Sequence, residues 1–190
     1  MPLLGRLLKN RHAGDEGLAW NAPHLAGADS LVLRSDAFDD GGTIPAVHAS
    51  KRAGGANVSP SLTWSQAPAT AVQLLLVVED PDAPTNLPFV HCVALVDPSL
   101  TRLPEGGLAA DQPAAGVRPL RAGTGAGYLG PAPVRGHGPH RYVFQLFALG
   151  QPVRIGPGDG ALASASPRDV IAAAGNVVAR GRLEGRYERA

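Results

Sequence analysis

The 190-residue chain has a single cysteine, Cys92. That excludes an internal disulfide and any metal site built on several thiolates. A reducing compartment, the cytoplasm, is the expected location. Lysine is nearly absent, Lys9 and Lys51 being the only two among 17 basic residues, and the formal net charge is +1. Such a balance supplies no clustered basic face, so no nucleic-acid partner is expected. No apolar run is long enough for an integral membrane segment, and none has the core and cleavage site of a signal peptide. Also missing are a repeat of the solenoid or propeller kind and a Gly-x-Ser-x-Gly nucleophile elbow.

Glycine (24) and proline (18) are abundant, and 44% of residues are hydrophobic. This composition fits a globular domain with many turns, and hence many strands. Three apolar runs read as strands: Val72 to Val78 ending at Asp80-Pro81, Phe89 to Val96 closed by Asp97-Pro98, and Arg141 to Leu149 ended by Gly150. The first is almost continuously apolar, as in a strand buried on both faces. Weaker candidates are Leu31 to Ser35, Leu62 to Ser65 and Arg182 to Glu188. Pro98 to Leu129 and Gln151 to Ala165 have no periodicity and read as long loops. A late helix starts at Ser166 as N-cap, with Pro167 and Asp169 in its first turn. Its apolar stripe is Val170, Ile171, Ala174, Val177 and Val178, and Gly181 closes it. At the other end, 1–30 is an extension with a short amphipathic helix, Leu3, Leu4, Leu7 and Leu8 interleaved with Arg6, Lys9 and Arg11. Packing on the domain or on a second subunit, as a homodimer, is preferred over a membrane-surface role.

Three segments could do chemistry. Glu79-Asp80-Pro81-Asp82-Ala83-Pro84 places rigid carboxylates at a strand exit, with a cis peptide expected at Ala83-Pro84. His91 lies in the second apolar strand. By alternation it shares a face with Phe89, Val93 and Leu95, while Cys92 shares the other with Val90 and Ala94. An imidazole there needs a hydrogen-bond partner, and a carboxylate would serve. His140 and Tyr142, two apart at a strand start, face the same side. Before them runs a Gly-Pro-rich loop, Gly130-Pro131 to Pro139, whose glycines let backbone N–H groups approach a ligand. Taken singly, each segment has a plain structural reading as a turn, a satisfied core histidine or a hairpin connection.

Together with Gly55-Ala56-Asn57-Val58-Ser59-Pro60-Ser61-Leu62-Thr63-Trp64, these segments occur in the order and spacing of one family. The chain resembles the bacterial branch of the phosphatidylethanolamine-binding proteins, the Raf kinase inhibitor-like proteins, over about residues 30 to 189. The resemblance implies a mostly β fold over 31–190: a large antiparallel sheet flanked by a smaller one, with a C-terminal helix. It also implies a cavity for phosphate-like or carboxylate anions, containing Asp80, Pro84, His91, Gly130, Pro131, His140 and Tyr142. Asp82 and Arg141 would support it. His91 and His140 would present N–H donors, with Asp80 orienting one imidazole and favouring its charged form. One departure is Cys92, where members of this branch usually carry an aromatic residue. Two histidines and a carboxylate also match a catalytic metal's ligand count, but the resemblance implies an anion site with no metal, no cofactor and no catalytic residue. The expected function is binding of a small anionic ligand or phospholipid headgroup. The alternatives are regulation of a partner enzyme, as a kinase or protease inhibitor does, and a hydrolase or lyase recruited onto the same pocket.

Overall fold

A computed structural model describes residues 3–189, without the side chains of Leu3, Leu4, Arg6 and Asp159. In chain order its strands are β1 (Leu33–Arg34), β2 (Gly42–Thr43), β3 (Leu62–Trp64), β4 (Gln73–Asp80) and β5 (Phe89–Val96). They continue with β6 (Arg102–Leu103), β7 (Val117–Pro119), β8 (His140–Leu149) and β9 (Val177–Tyr187). The helices are α1 (Leu3–Leu8), α2 (Asp159–Ser164) and α3 (Pro167–Ala173). Six strands form the large sheet, in the order β2-β9-β8-β4-β5-β7, and three form a small one, β1-β3-β6. All pairings are antiparallel except β2 with β9, which is parallel.

The long apolar runs end up in the middle of the large sheet because both of its faces are covered. One core lies between the sheets, where Leu74, Leu76, Val78, Phe144 and Leu146 meet Leu62, Trp64 and Leu103. The other lies on the outer face, where Leu75, Val77, Val93 and Phe147 meet Val170 and Ile171 of α3. Ala19 and Leu25, from the 3-10 turns Ala19–Asn21 and Pro23–Leu25, complete that second core. A strand buried on both faces needs no polar alternation, which is why β4 and β5 read as continuous apolar sequence.

The late helix is shorter than its apolar stripe suggests. Its start is as expected, with Ser166 and Asp169 forming a reciprocal capping box. It stops at Ala173, however, and Asn176 takes a left-handed conformation (φ 52) that turns the chain into β9. Val177 and Val178 therefore begin a strand, and Gly181 lies inside that strand. From Ala179 onward small or apolar residues alternate with Arg180, Arg182, Glu184 and Arg186. This period-2 pattern is the signal that competes with the helical stripe. The long loop Pro98 to Leu129 contains the short β6 and β7, and Gln151 to Ala165 contains α2.

The Ala83-Pro84 peptide is trans, and the described residues contain no cis bond. Thr85 N–H donates to Ala83 O (2.8 Å) around Pro84, so the fixed φ of proline reverses the chain without isomerisation. In α1, Leu7 is 81% exposed and Leu8 half-buried. The Leu3, Leu4 and Arg6 side chains, which would complete its amphipathic pattern, lie outside the described set. No helix among the described residues is long and apolar enough to cross a membrane.

Candidate functional site

The ends of β4, β5 and β8 converge on a cavity of about 510 Å³. Asp80, Pro84, His91, Gly130, His140 and Tyr142 all line it. Pro131 is not on its wall; its carbonyl accepts from Ser50 N–H behind it (3.0 Å). Phe89, Leu129, Pro133 and Val134 make the sides apolar, and Lys51 and Arg52 stand exposed at the rim.

At the β4 exit the two acids divide their work. Asp80 Oδ1 accepts from Asp82 N–H (2.8 Å), which fixes the turn, and its Oδ2 meets His140 Nδ1 at 2.7 Å. Asp82 points away from the cavity. Its carboxylate accepts from Arg141 N–H (2.8 Å), Nε–H (2.9 Å) and NH2 (2.9 Å), a forked charge-assisted pair. Burial of Asp82 works against ionisation, but these bonds outweigh it and hold the carboxyl below the usual range. Asp82 and Arg141 thus clamp the β4 exit to the start of β8.

His91 reaches the cavity through a β-bulge. Val78 opposes Cys92 and Glu79 opposes Val90, so His91 is the extra residue. Simple alternation fails across this point. Val90 joins Val93 and Leu95 in the outer core, whereas Cys92 and Ala94 join the core between the sheets. The displaced His91 ring packs edge-on against Tyr142 (centroids 5.0 Å) and Phe89 (4.9 Å). Its Nδ1 meets Leu129 O at 2.6 Å, and its Nε2 lies 4.0 Å from Asp80 Oδ2. Cys92 is fully buried opposite Val78, and burial pushes its thiol up to about 12. That excludes a reactive thiolate at neutral pH.

Burial lowers the His91 pKa, outweighing the pull of Asp80 and the Leu129 hydrogen bond. That direction leaves the His91 ring neutral at neutral pH. His140 is the imidazole that Asp80 orients. Its second nitrogen, Nε2, does not face the cavity as a free donor but meets His137 Nδ1 at 2.7 Å. His137 Nε2 in turn meets Leu8 O (2.7 Å) and Arg11 O (3.2 Å) of the N-terminal segment. All three of Asp80, His140 and His137 are at most 3% exposed.

The Tyr142 hydroxyl is buried and donates to no group among the described residues, while the Ala132 amide lies against it. Burial and then Asp80 push its pKa well above the ordinary phenol range, against the opposing pull of the nearby Ala132 amide. It remains a donor at any physiological pH. Gly130, on the cavity wall, is tightly packed and its N–H is already used. A Cβ there would come within 2.3 Å of His48 O, and its N–H donates to Asn57 Oδ1 (2.8 Å). The sequence reading missed His137 and Asn57 as parts of the site. His137 lies three residues before His140 in the same Gly-Pro loop, and Asn57 lies in the Gly55 to Trp64 segment, so position was the only hint. No three His, Cys, Asp or Glu side chains among the described residues are arranged to hold a metal ion.

A six-stranded sheet flanked by a smaller one, with an apolar-walled cavity at the strand ends lined by Asp80, His91, His140 and Tyr142, defines the fold class. The profile of the phosphatidylethanolamine-binding protein family matches residues 34–188, and the chain belongs to that family, in its bacterial branch. "Putative lipoprotein LppC" of Mycobacterium tuberculosis is 41% identical over 134 residues, which cover 69% of this chain and 61% of LppC. The chain thus spans less than two thirds of that relative's length. A UPF0098 protein of Methanothermobacter thermautotrophicus is 36% identical over 165 residues, 84% of this chain and 99% of its own length. Among solved structures, E. coli YbcL, described as a new member of the mammalian PEBP family, superposes with a TM-score of 0.71 at 30% identity. That match covers 83% of this chain and 98% of YbcL.

Proposed function

We propose that the cavity binds a small anionic or phosphorylated ligand, a free phosphate ester or a phospholipid headgroup. The observation that carries this reading is the buried Tyr142 hydroxyl on a cavity wall, a donor with no acceptor among the described residues. A buried donor left unpaired costs about 1–3 kcal/mol, and a ligand oxygen would recover that. Lys51 and Arg52 at the rim favour a negatively charged group on approach. Asp80, His91, His140 and Tyr142 make the polar floor, Pro84 contributes to the wall, and Gly130 and Pro131 shape the loop above.

Calorimetric titration with phosphate, acetate and O-phosphorylethanolamine tests the proposal. Binding is expected, weakened at least about tenfold in Tyr142→Phe, the loss of one hydrogen bond to a charged group. No heat with any of the three, or unchanged affinity in both Tyr142→Phe and His140→Ala, would overturn the site.

A further inference from the structure

Asp80 sets a carboxylate on the wall of a cavity read as an anion site, and the row of contacts behind it shows how that charge is met. Each hydrogen bond in the row needs one proton. Leu8 O and Arg11 O can only accept, so His137 Nε2, at 2.7 and 3.2 Å from them, carries an N–H. The contact of His137 Nδ1 with His140 Nε2 (2.7 Å) needs a second proton, and that of His140 Nδ1 with Asp80 Oδ2 (2.7 Å) a third. Two neutral imidazoles bring one proton each, and a carboxylate brings none. The row is thus complete only with one proton more than those forms supply. Every contact in it is direct, so a bridging water does not take the place of that proton.

We propose that His137 positions an extra proton behind the cavity: with His140 it holds three ring protons, whose positive charge cancels that of Asp80. This rests on the anion-binding reading above and names the device that lets an acid-lined wall accept an anion. The proton belongs to the rings, because an imidazole is ordinarily a stronger base than a carboxylate. With His137 replaced by an apolar ring, His140 satisfies Asp80 with a single N–H and the wall keeps a net negative charge. A bound anion would then face a like charge in a partly dry site.

The other groups near Asp80 do not supply the cancelling charge. His91, from β5, has its Nε2 4.0 Å from Oδ2, but burial holds its pKa down and keeps the ring neutral. Tyr142, from β8, stays a neutral hydroxyl. Arg141 is paired with Asp82, and His12, from the N-terminal segment, lies 3.8 Å from Asp82 and is itself part-exposed. Lys51 and Arg52 stand exposed at the rim, where solvent screens them. Once the row is neutral, the Tyr142 and Ser50 hydroxyls on the wall, which donate to no group among the described residues, can serve an anion's oxygens. Free phosphate and the phosphodiester of a lipid headgroup present the same oxygens to them.

The test joins nitrogen-15 spectra of the histidine rings to calorimetry of the full chain at neutral pH. The probes are inorganic phosphate and dimethyl phosphate, a phosphodiester whose charge is fixed in that range. Three of the four ring nitrogens of His137 and His140 are expected to be protonated, and a count of two sinks the inference. His137→Phe fills the space of the ring without its nitrogens, and its affinity for dimethyl phosphate is expected to fall at least about tenfold. His137→Gln keeps a donor for Leu8 O and an acceptor for His140 Nε2, and is expected to recover most of that loss. A space-filling role for His137 predicts the reverse order. Parent-like affinity in a His137→Phe protein whose melting shows it folded, or equal losses in the two variants, defeats the inference and leaves the anion site standing. The ring-proton count is made on the parent chain, so it decides the matter even where His137→Phe does not fold. Phosphate bound without dimethyl phosphate assigns the site to free phosphate, and the variants are then compared with that probe. No heat with either probe in the parent chain removes the anion reading and this inference with it.

Discussion

At the residue scale, two carboxyls one position on either side of Asp80–Pro81 respond to pH in opposite directions. Asp82 is held below its usual range by Arg141, so its contribution is present above the unfolded pKa near 3.8 and lost as the pH falls through the lower folded value. Glu79 is raised, chiefly by burial, although Arg168, Ala19 N–H and Gln145 all favour its charge. Its contribution is full below the unfolded pKa and fades as the pH rises through the folded one. The Arg168 guanidinium stands 2.6 Å from Oε1 without an aligned N–H, while Ala19 N–H (2.7 Å) and Gln145 Nε2 (2.8 Å) both donate to Oε2. Acid denaturation curves are expected to flatten in Asp82→Asn. The stability of the parent chain relative to Glu79→Gln should decline as pH rises. Glu79→Ala, which orphans two donors and removes the counter-charge of Arg168, should cost about 3 kcal/mol in urea melts. The sequence shows that acids cluster at this exit. Which of them faces the cavity, the clamp or the core is decided by partners 2 to 66 positions away.

At the scale of elements, the three long strands could be read from composition, and β9 could not be read in full. A stripe of Val170, Ile171, Ala174, Val177 and Val178 satisfies helical spacing, yet Asn176 breaks it and β8 offers ten residues of backbone to pair with. Tertiary pairing overrides local periodicity in such a case. Gly181 marks the outcome. A Cβ there would lie 2.2 Å from Leu31 O, because the chain crosses β9 at that point, with Leu31 N–H donating to Arg180 O (3.1 Å). Gly181→Ala is accordingly expected to cost about 3 kcal/mol, measured by denaturant melts, whereas a helix-closing glycine on the surface would tolerate alanine far better. The bulge at His91 is the other feature that periodicity hides. A single extra residue moves the histidine out of the strict alternation that otherwise assigns each strand residue to one core or the other.

For the whole molecule, residues before the family match at 34 are part of the site's architecture. Ala13 N–H donates to Ala83 O (2.9 Å) and Gly14 N–H to Pro81 O (2.9 Å), so the N-terminal segment pairs with the acid exit itself. Leu8 and Arg11 hold His137, and through it His140 and Asp80. None of this is visible in 1–30 as sequence, since backbone groups make the bonds and leave no side-chain pattern. Removing residues 1–14 is expected to lower stability by about 2–4 kcal/mol, one increment per orphaned hydrogen bond, and to weaken phosphate binding. Thermal melts and calorimetry of the truncated chain check both. Deleting through residue 26 also uncovers the outer core beneath Ala19 and Leu25, and the product is expected to aggregate.

The chain of contacts from Leu8 and Arg11 through His137 and His140 to Asp80 also has a spectroscopic consequence. Its shared imidazole protons are buried at both ends and exchange with water only when the site opens. A ring proton held against a carboxylate resonates far downfield of the backbone amides, in a window of the proton spectrum that is otherwise empty. The floor of the cavity thus carries its own label, and a one-dimensional spectrum recorded during a titration would report arrival at the site without isotopes or an attached dye.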